Sequence, residues 1–411
     1  MPRRAVSFLL ALTLIFTGTL NILAKEGTDL PDYLPTYYEY YGYIGLPDAL
    51  PVAALLSEDL PVVSAILIDQ GSGRVLFEQN ADEQVAPASI TKIMTLLLVM
   101  EAVQSGHISL TDMVTTSEEA ASMGGSQIWL QPGEQMSVDE MLRAVTIASA
   151  NDASFALAEH IAGSESAFVA MMNNRATELG MSGTHFANVT GLDESGHLTT
   201  ARDVALASRE LISFELIRQY STVWMDDLRG GETQLVNTNR LIRFYDGATG
   251  LKTGTTSQAG SCLSATATRD GLSLVAVVMG SPNSAARFSA ARTMLDFGFA
   301  NYISVTPPPI DDQLIPVRVL RGVEDEVLPI APPPGSYVVE RGQAEVMEKI
   351  VTLAPDLEAP VYDGQVIGNV EVLVEGSLVG SYPLRAGSAV DRMTFTRAFG
   401  ILMRSALSMD R

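Results

Sequence analysis

Residues 86–95 read APASITKIMT and run on into LLLVMEAVQSG, so that Ser89 and Lys92 stand at the mouth of an intensely apolar stretch. The spacing predicts a helix whose first turn carries both side chains, with Pro87 giving the chain an extended approach and Ser89 at an N-cap or first-turn position. Residues three apart on a helix are neighbours, so the lysine stem reaches the hydroxyl. The helix N-terminus favours negative charge developing there. A lysine walled by apolar side chains loses hydration, its pKa falls, and the neutral amine can take the serine proton. Taken alone, Ser-x-x-Lys is equally what a capping serine and an ordinary helical lysine look like.

Secondary structure builds outward from this segment. Upstream, SAILIDQGSGRVLFEQN (64–80) is two alternating apolar runs about a Gly-rich turn, a hairpin. A long helix is expected from Ser89 to about Met123, with further helices to about residue 215. Strands return in LVNTNRLI (235–242) and ATGLKTGTT (248–256). Residues 260–280 predict a hairpin turning at Asp270-Gly271, and residues 284–302 a closing helix. Strands at both ends with helices between them predict an α+β domain over 61–305, an antiparallel sheet covered by helices. Residues 306–387, rich in Val, Pro and Gly with short alternating runs, predict a small all-β domain.

Two further stretches carry chemistry. TIASANDASFALAEH (146–160) places Ser149 and Asn151 between helical segments, which by itself is an N-cap signal. A hydroxyl there can shuttle a proton, and the amide can hold a substrate carbonyl. GLKTGTTSQAG (250–260) sets Lys252, Thr253 and Gly254 on a strand beside a tight turn. A cation and a hydroxyl on an edge strand suit an anionic, extended ligand added to the sheet, and Gly254 permits close approach. A hairpin end with an exposed lysine reads the same way.

Composition closes off other classes. The 411 residues carry a net charge of −22, with 18% charged and 47% hydrophobic residues, which describes a globular chain and argues against a nucleic-acid partner. A single cysteine, Cys262, rules out an intramolecular disulfide and a cysteine-based zinc site, and the four histidines form no ligand pair. No metal and no cofactor is expected. The N-terminus, MPRR followed by an apolar run to Ala24, predicts an export signal over 1–24. Ile22 is a poor residue three positions before the cut, so an uncleaved anchor stays open. Residues 25–60 read as a Tyr- and Pro-rich spacer. At the other end, TFTRAFGILMRSALSMDR places Phe395, Phe399, Leu402, Ala406 and Met409 on one helical face and Arg397, Arg404 and Arg411 on another. Such a helix over 388–411 predicts contact with a membrane surface through residues 392–411, or docking on the β domain or a partner.

Ser-x-x-Lys, Ser-x-Asn and Lys-Thr-Gly in this order, about 60 and 100 residues apart, resemble the set found in penicillin-binding proteins and class A β-lactamases. PASITKIMT, GSQIWLQPGE, SANDASFALAEH, FANVTGLDESGHLTTARDVA and GLKTGTTSQAGSCLSATATRDG extend the likeness to the low-molecular-weight penicillin-binding proteins, the serine D-alanyl-D-alanine carboxypeptidases. The resemblance implies the transpeptidase-like fold of that family, with a small β domain and an amphipathic tail. It implies Ser89 as the acylated nucleophile, Lys92 as its base, Ser149 as proton relay and Asn151 as a substrate clamp. Lys252, Thr253, Gly254 and Thr255 would bind substrate, with the amides of Ser89 and Thr255 as oxyanion hole. Arg287, in VMGSPNSAARF (278–288), would meet the terminal carboxylate. The implied partners are peptidoglycan stem peptides ending in D-Ala-D-Ala and β-lactams, on the outer face of the cytoplasmic membrane. Some members carry histidine where this chain has Thr255, which bears on substrate preference. The rival readings are a class A-like β-lactamase, using Glu194 to hold a water, and a non-catalytic peptidoglycan or β-lactam sensor.

Overall fold

A computed structural model describes residues 59–408 apart from Pro334. The signal expected over 1–24 and the spacer expected over 25–60, except its last two residues, lie outside the described residues, as does Met409 onward. The hairpin of residues 64–80 forms as β1 (Ser64–Asp69) and β2 (Val75–Gln79). Helices fill the chain between this hairpin and β3 (Ala248–Thr256), β4 (Gly260–Arg269) and β5 (Leu272–Ser281). The five strands make one antiparallel sheet in the order β2-β1-β5-β4-β3, so β3 is an edge. Asp270 and Gly271 both take positive φ in the β4–β5 turn, as a two-residue hairpin of right-twisted strands requires.

The central strands are buried on both faces. Ile66, Ile68, Val275 and Val277 point into an apolar cluster shared with α1 (Lys92–Gln104), α2 (Asn151–Ala162), α3 (Glu165–Glu178) and α4 (Ala201–Leu211). Leu67, Leu274, Ala276 and Val278 face the opposite cluster, against α5 (Ser284–Asn301). The domain is therefore helices, sheet and helix in three layers. α1 is buried along nearly its whole length, from Lys92 to Met100, as a helix apolar on every side must be.

Three local expectations fail. α1 stops at Gln104 instead of running to Met123, because Ser105-Gly106 ends it and Gly106 takes a left-handed φ of 73°. Beyond it lie a strand, Met113–Thr115, and a short helix, Glu118–Ala121. In LVNTNRLI the strand is Thr233–Val236 alone; Asn237 Oδ1 accepts the N–H of Asn239 and turns the chain into a short helix, Leu241–Phe244. Pro87 is αR, not extended, and the sharp turn falls on Ala88 at φ 49°.

Past α5 the chain continues without a linker into β6 (Tyr302–Val305), which pairs with β7 (Tyr337–Glu340). Val338 belongs to the apolar cluster under α5, and its carbonyl accepts from Arg74 Nη1 at 2.9 Å. Arg341 Nη2 donates to Phe299 O at 2.7 Å. The remaining strands include β8 (Met347–Leu353), β9 (Val366–Val374) and β10 (Ser377–Ala386), successive antiparallel neighbours around their own small core. The chain ends in α6 (Phe395–Ser408), on which Phe395, Phe399, Leu402 and Met403 are exposed.

Candidate active site

Ser89 lies in a 3₁₀ turn, Ala88–Thr91, immediately before α1, and caps nothing with its side chain. The turn is held from two sides by glycines. A Cβ on Gly191 would fall 1.8 Å from Ala88 O, and one on Gly254 would fall 2.9 Å from the Ser89 nitrogen. Only glycine lets these two segments close on the serine. The left-handed Ala88 is a further strained position, costing about 1–3 kcal/mol that the surroundings must offset.

Lys92 Nζ donates to Ser89 Oγ at 3.0 Å and to Thr190 O at 2.6 Å. Its side chain is fully buried. Burial first, and then the charge of Lys252, push its pKa well below the usual lysine value, with Asp152 opposing. No histidine competes for the serine proton. His197 Nδ1 accepts from the N–H groups of Ala187 and Asn188, and its Nε2 meets Thr91 Oγ1 at 2.7 Å. Burial lowers its pKa to about 4, so it is neutral and donates to Thr91.

Ser149 ends a π turn, Ala144–Ala148, with φ 63°, and the N-cap position of α2 falls to Ala150. The capping reading of this serine is thereby replaced: its hydroxyl turns away from the helix and accepts from Lys252 Nζ at 2.8 Å. Lys252 is buried in β3 instead of exposed, and also donates to Thr253 O at 3.0 Å. Burial and the neighbouring Arg287 lower its pKa to about 7. Asn151 Nδ2 donates to Gly124 O at 2.6 Å, and its buried Oδ1 has no hydrogen-bond partner.

Thr253 Oγ1 donates to Thr238 Oγ1 at 2.7 Å, and Thr255 Oγ1 to Gly254 O at 2.8 Å. Arg287, on α5, directs Nη1 at Gly254 O, Thr255 Oγ1 and Cys262 O, while its buried Nε has no partner. Burial lowers its pKa to about 10. The structure thus joins Ser89 to Lys92, Ser149 to Lys252, and Arg287 to the Gly254-Thr255 corner, with Gly254 linking the first and last groups.

Two contributors escaped the sequence. Thr190 acts through a backbone carbonyl, which no residue type signals. Asp152 follows Asn151 and is almost wholly buried. It accepts from Ile128 N and Leu130 N at 3.1 Å each, fixing the loop that also receives Asn151. Its charge amid apolar neighbours in SANDASFALAEH was the available signal. Glu194, the candidate water-holder of a β-lactamase, accepts from Asn188 Nδ2 at 2.9 Å.

Comparison with known proteins gives the family. Residues 53–283 match the D-alanyl-D-alanine carboxypeptidase family, and residues 304–392 match the C-terminal domain of penicillin-binding protein 5. The chain is 41% identical to the Bacillus subtilis D-alanyl-D-alanine carboxypeptidase DacF over 81% of its length and 86% of that protein's. It is 38% identical to the Escherichia coli D-alanyl-D-alanine carboxypeptidase DacC, again over 81% and 86% of the two chains. Among solved structures, penicillin-binding protein 5 from Haemophilus influenzae superposes with a TM-score of 0.72 at 31% identity, covering 82% of this chain and 99% of that one. The serine–lysine pairs sit on the fold and sequence of one group of enzymes: the chain belongs to the D-alanyl-D-alanine carboxypeptidase family, the low-molecular-weight penicillin-binding proteins.

Proposed function

We propose that this serine DD-carboxypeptidase works through a Ser89 acyl-enzyme on stem peptides ending in D-Ala-D-Ala, and that the observation carrying the mechanism is the 3.0 Å contact between Ser89 Oγ and a fully desolvated Lys92. Neutral Lys92 accepts the serine proton as Oγ attacks the carbonyl of the penultimate D-alanine. The N–H groups of Ser89 and Thr255 take the oxyanion, a contribution of about 3 kcal/mol for one such donor. Ser149, bonded to Lys252, delivers a proton to the departing amine and is reprotonated by the lysinium of Lys92, and the last D-alanine leaves. Water then attacks the ester as Lys92, neutral again, takes its proton and passes it to Ser89 Oγ, which leaves as the hydroxyl.

Substrate is held at both ends of the cleft. Lys252 and Arg287, with the hydroxyls of Thr253 and Thr255, form a cationic corner suited to the terminal carboxylate. The free acceptor of Asn151 suits an amide N–H of the acyl portion. β-Lactams acylate the same serine, since their strained amide stands where the D-Ala-D-Ala bond would. The rival readings find no support in the geometry. Glu194 is engaged with Asn188, and a sensor has no use for two desolvated lysines each aimed at a serine.

Work at the outer face of the cytoplasmic membrane is part of the same reading. Among the described residues no helix is long and apolar enough to cross a membrane. α6 instead exposes Phe395, stacked on Phe399 at 6.2 Å, with Leu402 and Met403, beside Arg397 and Arg404. An exposed aromatic and aliphatic face next to arginines suits an anionic lipid surface. Loss of vesicle flotation on deleting residues 393–411 tests this part separately.

The central experiment is D-alanine release from diacetyl-lysyl-D-Ala-D-Ala by the wild type and by Ser89→Ala. Release that disappears in the variant establishes the activity and its nucleophile. Undiminished release in Ser89→Ala would sink the mechanism.

A further inference from the structure

Trp129 is the most exposed large aromatic side chain of the catalytic domain's described residues, at 72%, yet its neighbours on both sides are held by hydrogen bonds to charged side chains. Its φ is 59°, a left-handed conformation that a bulky side chain rarely adopts. The residues on either side, Ile128 and Leu130, are buried, and both their N–H groups end on the Asp152 carboxylate. From the other side, Arg229 Nη1 donates to Ile128 O at 2.8 Å, and Arg229 Nε pairs with Glu134 at 2.7 Å. A buried carboxylate and a guanidinium thus clamp one peptide unit each side of an indole that packs into no core. Strain maintained in this way, where packing gains nothing from it, points to function.

The clamp also ties the loop that carries the indole to the active site. Asp152 follows Asn151 in α2, and the same loop receives Asn151 Nδ2 at Gly124 O and gives Ser126 O to the Asn151 N–H at 2.7 Å. The loop is therefore the wall of the cleft on the Asn151 side. Lys252 and Arg287, which suit the leaving D-alanine's carboxylate, belong to β3 and α5. Residues 124–134 contain no Lys or Arg, and their one charge, Glu134, is paired with Arg229. A neutral wall presenting an apolar ring suits the uncharged, acyl-side part of the substrate.

We propose that Trp129 is a specificity-determining residue whose indole face receives the aliphatic side chain of the stem-peptide residue immediately before the D-Ala-D-Ala pair. This rests on the reading of the active site given above. The contact needs no new charge and no movement, because Asp152 and Arg229 have already fixed the ring's backbone. Covering one aliphatic side chain corresponds to roughly ten-fold in affinity.

The test compares D-alanine release from diacetyl-lysyl-D-Ala-D-Ala and from acetyl-glycyl-D-Ala-D-Ala by the wild type, Trp129→Ala and Trp129→Phe. The proposal expects the wild type to prefer the lysyl peptide by about ten-fold in kcat/KM. It expects that preference to collapse toward unity in Trp129→Ala, through KM, and to be largely kept in Trp129→Phe. Equal losses on both peptides, as a merely structural role would give, or an unchanged preference, would overturn it. A second readout is independent of turnover. The chain has two tryptophans, so Trp224→Phe in a Ser89→Ala background leaves Trp129 as the sole indole. Its emission should shift to the blue on adding the lysyl peptide and not the glycyl one. That shift without turnover in the wild type keeps the subsite and sinks the activity; turnover without the shift or the preference does the reverse.

Discussion

Lys92 and Lys252 are both buried, each donates to one serine hydroxyl, and the charge of Lys252 adds to burial in depressing Lys92. In the mechanism proposed above Lys92 is the base and Lys252 holds the relay serine, and the neighbouring charge of Lys252 favours the neutral form of Lys92. The buried histidine is committed elsewhere.

This asymmetry predicts a bell-shaped kcat/KM against pH. The acid limb is protonation of Lys92, and the alkaline limb, near pH 7 in the free enzyme, is loss of the Lys252 proton. A bound carboxylate raises Lys252, so the alkaline limb of kcat should lie above that of kcat/KM. Lys252→Arg should move the alkaline limb upward and leave the acid limb in place. Steady-state profiles on the lysyl peptide check both statements.

Stability should follow the same lysines. The folded pKa of Lys252 is about 7, below that of an unfolded lysine, so between about pH 7 and 10 the unfolded chain binds more protons. The contribution of Lys252 to unfolding free energy therefore rises with pH across that window. Urea midpoints measured from pH 7 to 9.5 should show a positive slope that diminishes in Lys252→Met.

Lys92→Met keeps the length of the side chain and removes the amine. Acylation by labelled penicillin should fall by about 10³-fold, within the range for loss of a positioned base. The melting temperature should hold or rise, since a buried amine is exchanged for an apolar side chain of similar length. A collapse of folding with no separable loss of acylation would count against the assignment.

The glycines that press on the nucleophile should separate fold from chemistry. Gly191→Ala puts a Cβ 1.8 Å from a backbone oxygen at φ 86°, and should lower the melting temperature by several degrees. Gly254→Ala, 2.9 Å from the Ser89 nitrogen and from Ala88 Cβ, should displace the serine. Its acylation rate should drop at least about ten-fold for a misplacement on this scale, with less loss of stability. Stopped-flow acylation and calorimetry on the two variants decide the matter.

Asp152→Asn exchanges a carboxylate accepting from Ile128, Leu130 and Ala153 for an amide that accepts at one end only. A loss of about 2 kcal/mol in unfolding free energy is expected, the scale of a hydrogen bond to a charged group. Amide exchange should speed up at Ile128 and Leu130 before it does in the central sheet.

The residues with diagnostic side chains were legible because their chemistry requires particular types at particular spacings. Ser89 with Lys92, Ser149 with Asn151, and Lys252 to Thr255 are such cases, and the apolar run after Lys92 announced its desolvation. The hairpin at Asp270-Gly271 was legible because that dipeptide supplies both positive φ values. What stayed hidden acts through backbone or through distant contacts. Thr190 offers a carbonyl, Gly191 reads as any loop glycine, and Ala88 gives no hint of a left-handed turn. The expected helix to Met123 failed because it was carried through the stop at Ser105-Gly106 into a stretch rich in Ser, Thr and β-branched residues, while the pairing of Met113–Thr115 with Gln135–Ser137 is a tertiary choice.

The seam between the catalytic domain and the β-rich part sets how the enzyme can move. Val338 sits in the core under α5, Arg74 and Arg341 each bond a carbonyl across the boundary, and α5 runs straight into β6. These contacts oppose rotation of one part against the other. A join braced in this way acts as the shank of a stylus, holding the cleft toward one level of its surroundings, where a domain on a free tether would sweep a volume.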